Sequence, residues 1–292
     1  MNVFSAWLLP LVVAYLMLAM GLALRPADFL ALLAAPRAAL LGVLSQLFLL
    51  PLLGFLVASL GGLPPVYAAG LMIIAACPGG PMSNLLTHLA GGDTALSIAL
   101  TAVMSLVAIV TLPLIVGFSL PHFMGETAPP LPVAGTIFGL MAMTLVPVAL
   151  GMTFKSALPD LAARIEPAAR RMAALLFVLF LIAAVAMEWQ TVTTHLPDIA
   201  PPVIALNILV MTSAFAIASA ARLERERRIA ITLECGIQNG SLAMFVAATL
   251  LGNDEMMLPG AAYGLFMFPT ALLFVALLHR TGRRVVRAGG MR

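Results

Sequence analysis

The sequence reads Cys77-Pro78-Gly79-Gly80-Pro81-Met82-Ser83-Asn84 in its first half and Glu234-Cys235-Gly236-Ile237-Gln238-Asn239-Gly240-Ser241 in its second. Each stretch puts polar and helix-breaking residues in the middle of a long apolar segment. Lipid offers no hydrogen bonds, so a broken helix persists there only where protein, water or an ion satisfies the freed backbone groups. A matched pair of such breaks is typical of the binding site of a secondary transporter.

The composition predicts an all-α polytopic membrane protein. Of its 292 residues, 62% are hydrophobic and 9% are charged, and the mean hydropathy is +1.10. A soluble domain carries roughly 25% charged residues. A helix that crosses the hydrocarbon needs about 20 mostly apolar residues. We predict nine such spans, of which the third and the eighth contain the breaks: 4–24, 37–60, 64–90, 93–118, 131–153, 169–188, 200–220, 226–251 and 258–279.

The basic residues predict the orientation. With nine spans, all 15 Lys and Arg fall on one side of the membrane, which the positive-inside rule makes cytoplasmic. They follow spans one, five, seven and nine: Arg25 and Arg37; Lys155, Arg164, Arg170 and Arg171; Arg222, Arg225, Arg227 and Arg228; Arg280, Arg283, Arg284, Arg287 and Arg292. We therefore expect the N-terminus outside and the C-terminus inside a bacterial inner membrane, and we interpret the basic loops as a topology signal rather than a nucleic-acid site.

The N-terminal residues Met1-Asn2-Val3-Phe4-Ser5 lack a basic region and a small-residue cleavage site. We predict a retained first span rather than a removable signal peptide.

The spacing of the breaks predicts an inverted repeat. Span eight follows span three by five spans, and an odd offset makes the two segments run in opposite directions through the membrane. Spans one to four then match spans six to nine, and span five has no counterpart. Gln46 and Asn207 are polar residues in the corresponding spans two and seven.

Glu234 is the only acidic or basic residue that the span assignment leaves deep in the membrane. A charge there costs at least ~2.5 kcal/mol, so Glu234 is either protonated or holds a cation. Hard cations take oxygen ligands, and oxygen-bearing groups are plentiful in and around the breaks. The candidates are the side chains of Gln46, Ser83, Asn84, Ser97, Thr101 and Gln238, with the backbone carbonyls that we expect unwound backbone at Cys235 and Ile237 to free.

This low-charge set of oxygens suits Na+ better than a divalent ion. The alternative to ion binding is that the neutral residues only form hydrogen bonds to neighbouring helices.

The breaks also create half-helix N-termini after Pro81 and after Gln238. Their free N–H groups and positive dipole ends attract anions. A cation held by Glu234 beside them would complete a site for an organic anion. We expect Pro81, Met82, Asn239 and Gly240 to line that site.

Over essentially the whole chain, these motifs resemble the bile acid:sodium symporter family. The resemblance rests on Cys77-Pro78-Gly79-Gly80 with Ser83-Asn84, on Gly92-Asp93 through Ser97 to Thr101, and on Glu234 to Asn239. It implies two Na+ ions. The first site would be formed by Ser83, Asn84, Ser97, Thr101 and Glu234. The second would be formed by Gln46, Glu234, Gln238 and the backbone of Cys235 and Ile237.

The resemblance also implies a panel domain of spans one, five and six, at about 4–24 and 131–188. The core domain would take about 37–118 and 200–279. Movement between the two domains would give alternating access. A nine-span form without a leading helix is similar to some members of the family, in agreement with the unpaired span five.

Two departures from the family pattern concern the substrate. Pro81 and Met82 stand where small or hydroxyl residues are frequent, and Met267 and Phe268 are apolar where some members carry polar residues that face the substrate. The anion can therefore be bile-acid-like or a small monocarboxylate such as pantoate, ketopantoate or pyruvate.

Two other functions are compatible with parts of the pattern. A proton-coupled antiporter on a similar scaffold would need Glu234 to cycle a proton. A membrane-embedded aspartyl protease would use Asp93, but the required second Asp is missing and no His lies deep in a span. We expect a transporter, not an enzyme, whose partners are the organic anion and the lipid bilayer, with no nucleic acid and no obligate protein partner.

Overall fold

The computed structural model describes residues 7–187 and 189–289. Within these ranges the regular elements are helices, and the one extended pairing is an isolated antiparallel bridge between Gly79 and Gln238. The all-α prediction is therefore confirmed for the described residues. The predicted retention of Met1 to Ser5 and the position of Arg292 lie outside them.

Twelve helices are numbered here in chain order. They are α1 Leu9–Ala23, α2 Leu30–Ala34, α3 Pro36–Leu60, α4 Pro65–Ala76, α5 Pro81–Leu89, α6 Thr94–Met124, α7 Val133–Ala157, α8 Pro159–Met187, α9 Trp189–Ala220, α10 Arg225–Gly236, α11 Gly240–Leu250 and α12 Leu258–Gly289. Single π-helical turns interrupt α3 and α7, at Ser45–Leu49 and Met141–Leu145, and another ends α11, at Val246–Leu250.

In the described part of the chain, five helical stretches are long and apolar enough to cross a membrane: Pro36–Leu60, Thr94–Thr127, Val133–Ala157, Thr193–Ala220 and Glu255–Leu278. The pair Leu9–Ala23 and Pro26–Ala34, bent by 83°, would make a sixth if it is one span. Helices α4 and α11 are apolar but short, because each is only half of a broken segment. The chain is thus an all-α, multi-pass membrane protein.

Three helices in the described part of the chain extend well beyond the predicted spans. The described part of the segment predicted at 169–188 lies in α8, which begins at Pro159, and the segment predicted at 200–220 lies in α9, which begins at Trp189. The segment predicted at 258–279 lies in α12, which continues to Gly289. The prediction followed hydropathy, which marks only the apolar part of a helix. The backbone hydrogen bonds continue into the polar ends.

The helices pack in two groups. Helix α1 packs mainly against α7 and α8, whereas α3, α4, α6, α9, α10 and α12 pack mainly against one another. The backbones of α1 and α7 touch at two glycines. A Cβ on Gly21 would lie 2.3 Å from the carbonyl oxygen of Val148, and one on Gly151 would lie 2.5 Å from that of Leu18. Small residues at such crossings are typical of membrane helix pairs.

We expect Gly151→Ala to lower the thermal stability of the purified protein. The new methyl group would clash with a backbone carbonyl oxygen, and such overpacking costs about 1–3 kcal/mol. Gly135→Ala on the same helix is the control, because its Cβ would meet only the Pro132 ring at 3.5 Å. Equal melting temperatures for both variants and wild type would contradict the close α1–α7 contact.

Candidate functional site

The two breaks cross and satisfy each other's backbone. The N–H of Gly80 donates to the carbonyl of Ile237 at 2.9 Å, and the N–H of Asn239 donates to the carbonyl of Pro78 at 3.0 Å. These two bonds flank the bridge between Gly79 and Gln238. Residues about 160 positions apart are thereby held side by side, and one N–H group of each break finds its acceptor in the other break.

The non-helical part of each break is short. It covers residues 77–80 between α4 and α5, and residues 237–239 between α10 and α11. The expectation of an unwound Cys235 was wrong, because Cys235 lies in the last turn of α10. Its carbonyl is nevertheless free of the helix ladder, since the last four carbonyls of a helix have no intrahelical donor.

Glu234 lies at the centre of the crossing and its side chain is fully buried. Three hydroxyl groups donate to its carboxylate. Ser83 Oγ lies 2.6 Å from Oε2, Thr101 Oγ1 lies 2.8 Å from Oε1, and Ser97 Oγ lies 3.2 Å from Oε2. The first break and α6 thus converge on the one carboxylate of the second.

Asn84 completes this first cluster. Its Oδ1 lies 2.8 Å from Ser97 Oγ and 3.3 Å from Thr101 Oγ1. Each of these hydroxyls has one proton, so Asn84 and the carboxylate share or compete for it. Ser97 and Thr101 are one turn apart on α6, as their i, i+4 spacing predicts. The start of α6 is fixed by Asp93, whose Oδ1 accepts from the backbone N–H of Leu96 at 3.0 Å, which is an N-cap.

Gln46 and Gln238 form a second cluster on the backbone side of Glu234. Gln46 Nε2 donates to the Glu234 carbonyl at 2.7 Å, and the Gly79 N–H donates to Gln46 Oε1 at 3.2 Å. Gln238 Nε2 donates to the Cys235 carbonyl at 2.7 Å. Gln238 Oε1 is buried and accepts no hydrogen bond from the described residues. A buried acceptor without a donor is costly, so a cation is a suitable partner for it.

Gln46 lies in the π-helical turn Ser45–Leu49 of α3, and π-turns recur at functional sites. Pro51 follows closely and has no N–H to donate.

Position 79 needs a glycine, because the two breaks approach each other too closely there for a side chain. A Cβ on Gly79 would lie 2.1 Å from Glu234 Oε1 and 3.1 Å from Gln46 Nε2. The carboxylate therefore occupies the space that any other residue at position 79 would fill.

Glu234 has no basic partner in the described part of the chain. The ion pairs recorded there join Glu166 to Lys155 and Arg170, and Arg227 to Asp93 and Glu224. The described residues also contain no cluster of His, Cys, Asp and Glu that would suit a transition metal. The donors around Glu234 are hydroxyl, amide and carbonyl oxygens, which suit a hard cation of low charge.

A cavity of about 410 Å3 adjoins the crossing. One wall comes from α1 and α8, and the other comes from α5, the second break and the start of α11. Five of the six residues predicted to contact a substrate line it: Pro81, Met82, Asn239, Gly240 and Met267. The sixth, Phe268, is not in the lining. Its ring centroid is 6.3 Å from that of Phe177, which does line the cavity.

Sequence reasoning missed a third polar cluster and one wall of the cavity. Asn207 Nδ2 donates to the Gly236 carbonyl at 2.7 Å, and Tyr263 OH donates to the same carbonyl at 3.1 Å. Thr270 donates to Asn207 Oδ1. This cluster holds the end of α10 against α9 and α12. Asn207 was noted as a buried polar residue, but nothing in the sequence paired it with Tyr263.

The missed wall includes Arg170, Arg171 and Phe177 of α8. Their helical spacing was available in the sequence, but the two arginines were interpreted only as a topology signal.

Comparison with known proteins identifies relatives over most of the chain. The family model described as "Sodium Bile acid symporter family" matches residues 10–195. The chain is 30% identical over 233 residues to the "Uncharacterized sodium-dependent transporter YocS" of Bacillus subtilis, covering 80% of this chain and 71% of the relative.

Similar proteins also occur in plants and animals. The chain is 26% identical over 247 residues to the "Probable sodium/metabolite cotransporter BASS2, chloroplastic" of Oryza sativa, covering 85% of this chain and 58% of the relative. It is 36% identical over 136 residues to human "Sodium/bile acid cotransporter 4", covering 47% of this chain and 31% of the relative. The chain spans about 60% of the length of the plant relatives.

We expect Gly79→Ala to destabilise the crossing. The methyl group displaces the Glu234 carboxylate from its hydroxyl donors, and a core overpacking of this kind costs about 1–3 kcal/mol. Thermal unfolding of the purified protein measures the loss. Gly117→Ala is the control, because a Cβ there meets only the end of the Leu131 side chain, at 3.3 Å. A Gly79→Ala variant as stable as the control would contradict the tight contact.

Proposed function

The chain belongs to the sodium bile acid symporter family, and from that premise we propose that it is a secondary transporter that couples Na+ movement to the symport of an organic anion. The observation that supports this most is the environment of Glu234. Its carboxylate is fully buried, accepts three hydroxyl hydrogen bonds and has no basic partner among the described residues. An uncompensated charge in the membrane costs at least ~2.5 kcal/mol, and a bound Na+ would offset that cost.

The first proposed Na+ site uses the hydroxyl and amide cluster. Its oxygens come from Ser83, Asn84, Ser97, Thr101 and Glu234. In the structure the hydroxyls donate to the carboxylate and to Asn84. Rotation of each hydroxyl would turn its lone pairs toward an ion, so one set of side chains can serve both the ion-free and the ion-bound state.

The second proposed Na+ site lies on the other side of Glu234. It uses Gln46, Gln238, Glu234 and the carbonyls of Cys235 and Ile237. The support for it is Gln238 Oε1, which is buried without a hydrogen-bond donor, beside the Cys235 carbonyl at the end of α10. The single negative charge of Glu234 would then balance only part of the charge of two Na+ ions. The remaining positive charge would attract an anion.

The packing supports a division into panel and core. Helices α1, α7 and α8 would form the panel, at about 4–24 and 131–188. The remaining helices would form the core, at about 37–118 and 200–279. The cavity lies between α1 and α8 on one side and the breaks on the other, so relative movement of the two groups would open it to alternate sides of the membrane.

We further propose nine spans in an inverted repeat, with each broken segment crossing the membrane once. The cavity lining reaches Leu24 at the end of α1, His88 near the end of α5 and Arg170 on α8. These positions lie on the side that carries the basic loops. If that side is cytoplasmic, the structure is open to the inside, and the N-terminus of the first span is outside.

The proposed substrate is an organic anion that fits the cavity beside the crossing, either bile-acid-like or a small monocarboxylate such as pantoate, ketopantoate or pyruvate. Pro81, Met82, Asn239, Gly240 and Met267 would contact it, and Phe268 would act through Phe177. The volume of about 410 Å3 falls in the range of small-molecule sites. The proposal assigns no catalytic residue.

We expect NaCl, but not choline chloride, to stabilise the purified protein against heat. A ligand at 100 times its dissociation constant stabilises by about 2.7 kcal/mol. Glu234→Gln should lose most of this Na+-dependent shift, because the amide removes the charge that holds the ion. In proteoliposomes, Na+-driven uptake of taurocholate, pantoate, ketopantoate or pyruvate should be lost with it.

Glu126→Gln is the matched control, since it makes the same change at an exposed position. An unchanged Na+ shift and unchanged uptake in Glu234→Gln would contradict the proposal. Uptake that follows a pH gradient and ignores Na+ would favour the proton-coupled alternative.

A further inference from the structure

The mouth of the cavity carries positive charge that the Na+ sites do not use. Two arginines of α8, Arg170 and Arg171, and His88 of α5 line the cavity, and none of the described residues in its lining is acidic. Most of the remaining lining is apolar, including Met20, Phe177 and other hydrophobic side chains. The cavity is therefore an apolar space with a basic entrance.

The two arginines differ in their partners. Arg170 forms an ion pair with Glu166, which also binds Lys155 at 3.4 Å. Lys155 in turn donates to the Ala23 carbonyl at the end of α1, at 2.7 Å. Arg170 thus belongs to a network that ties α1, α7 and α8 together.

Arg171 is different. Its Nε donates to the Pro167 carbonyl at 3.2 Å, and the structure records no carboxylate partner for it among the described residues. Its side chain is exposed, and the guanidinium keeps further N–H donors for a ligand.

The position of Arg171 on α8 determines how far along the helix it lies from the level of the crossing. Arg171, Ala174 and Phe177 follow one another at intervals of three residues along the cavity wall. Phe177 marks the level of the crossing, because its ring approaches Gly264, and Gly264 lies against Gly240 at the start of α11. Six residues of helix span about 9 Å. Residues 171 and 177 are thus about 9 Å apart along the helix axis, and the small side chains of Ala173 and Ala174 lie between them in the cavity lining.

We propose that Arg171 is an anion-binding residue at the mouth of the cavity, which takes the acidic group of a transported molecule whose apolar body lies between α8 and α5. The proposal rests on the proposed transport function and adds a contact on the α8 wall, away from Glu234. Planar guanidinium groups bind carboxylate and sulfonate oxygens with paired hydrogen bonds. Because Arg171 belongs to the panel and the Na+ clusters to the core, one bound anion would touch both groups of helices.

The test uses the full-length protein in detergent with two anionic probes, octanoate and taurocholate, and one neutral probe, octanamide. Affinities are read from thermal shifts at a fixed Na+ concentration. We expect Arg171→Gln to weaken both anions by roughly tenfold, because a hydrogen bond to a charged group is worth that much. Octanamide should bind wild type and variant alike. Arg171→Lys should recover part of the loss.

Arg164→Gln is the matched control. It removes the same charge from the same helix, two turns away, at an exposed position outside the cavity lining. We expect its anion affinities to equal those of wild type. Added choline chloride should weaken the anions in wild type and have less effect in Arg171→Gln, because salt screens an exposed contact.

Several results would overturn the proposal. One is equal anion affinity in wild type and Arg171→Gln. Another is an equal loss in Arg164→Gln, which would indicate a general effect of net charge. A third is a wild type that binds neither anion while Na+ still stabilises it. Loss of the Na+-dependent stabilisation in wild type would instead contradict the proposed transport function, so the two failures are distinguishable.

Discussion

The hydrogen bonds between the two breaks hold the rest of the site in place. Gly80 donates to Ile237 and Asn239 donates to Pro78, so each break supplies what the other has lost. Without this pairing, each helix interruption would leave polar backbone groups in a region where lipid provides no partner. The pairing also fixes the position of Glu234, because the bridge puts Gly79 against its carboxylate with no space for a side chain. The proposed ion sites thus depend on a backbone contact.

The crossing divides the polar groups into two sets with Glu234 between them. The carboxylate faces hydroxyl groups from α5 and α6, whereas its carbonyl and that of Cys235 face the amides of Gln46 and Gln238. A cation in either set would strengthen the contact between α5, α6 and α10. An ion that binds one arrangement of helices better than another shifts the equilibrium by that difference in affinity. Coupling between Na+ and anion then needs no direct contact, only a shared preference for one arrangement.

Much of this site could be predicted from the sequence because the chemistry is confined to two short motifs in an apolar chain. Glu234, Ser83, Ser97 and Thr101 stand out as oxygen-bearing residues where hydrocarbon is expected, and the offset of five spans between the two breaks predicts that they run in opposite directions through the membrane. The helical state of Cys235 was not predictable, since Gly236 and the following residues give no sign of where in the motif the helix ends. The full lengths of α8 and α9 were also missed, because hydropathy marks only the apolar part of each helix and the polar ends are helical too.

The α8 wall of the cavity could not be predicted from the sequence, for a different reason. In the sequence, Arg171 is one of several basic residues that follow span five, and only its tertiary position beside Ala174 and Phe177 in the cavity wall supports the anion-binding role that we propose. The contact between α8 and the crossing passes through Gly264 of α12, which no local pattern connects to α8.

The most direct measurement is an experimental structure of the wild-type protein at a resolution that shows ions, determined once in NaCl and once in choline chloride. We expect Na+-dependent density bonded to Glu234 in the cluster of Ser83, Asn84, Ser97 and Thr101, with a second peak beside Gln238 Oε1. We also expect the bridge between Gly79 and Gln238 to be present in the Na+-bound state. Identical density around Glu234 in both salts, with its carboxylate still bonded only to hydroxyl groups, would contradict Na+ binding at this crossing.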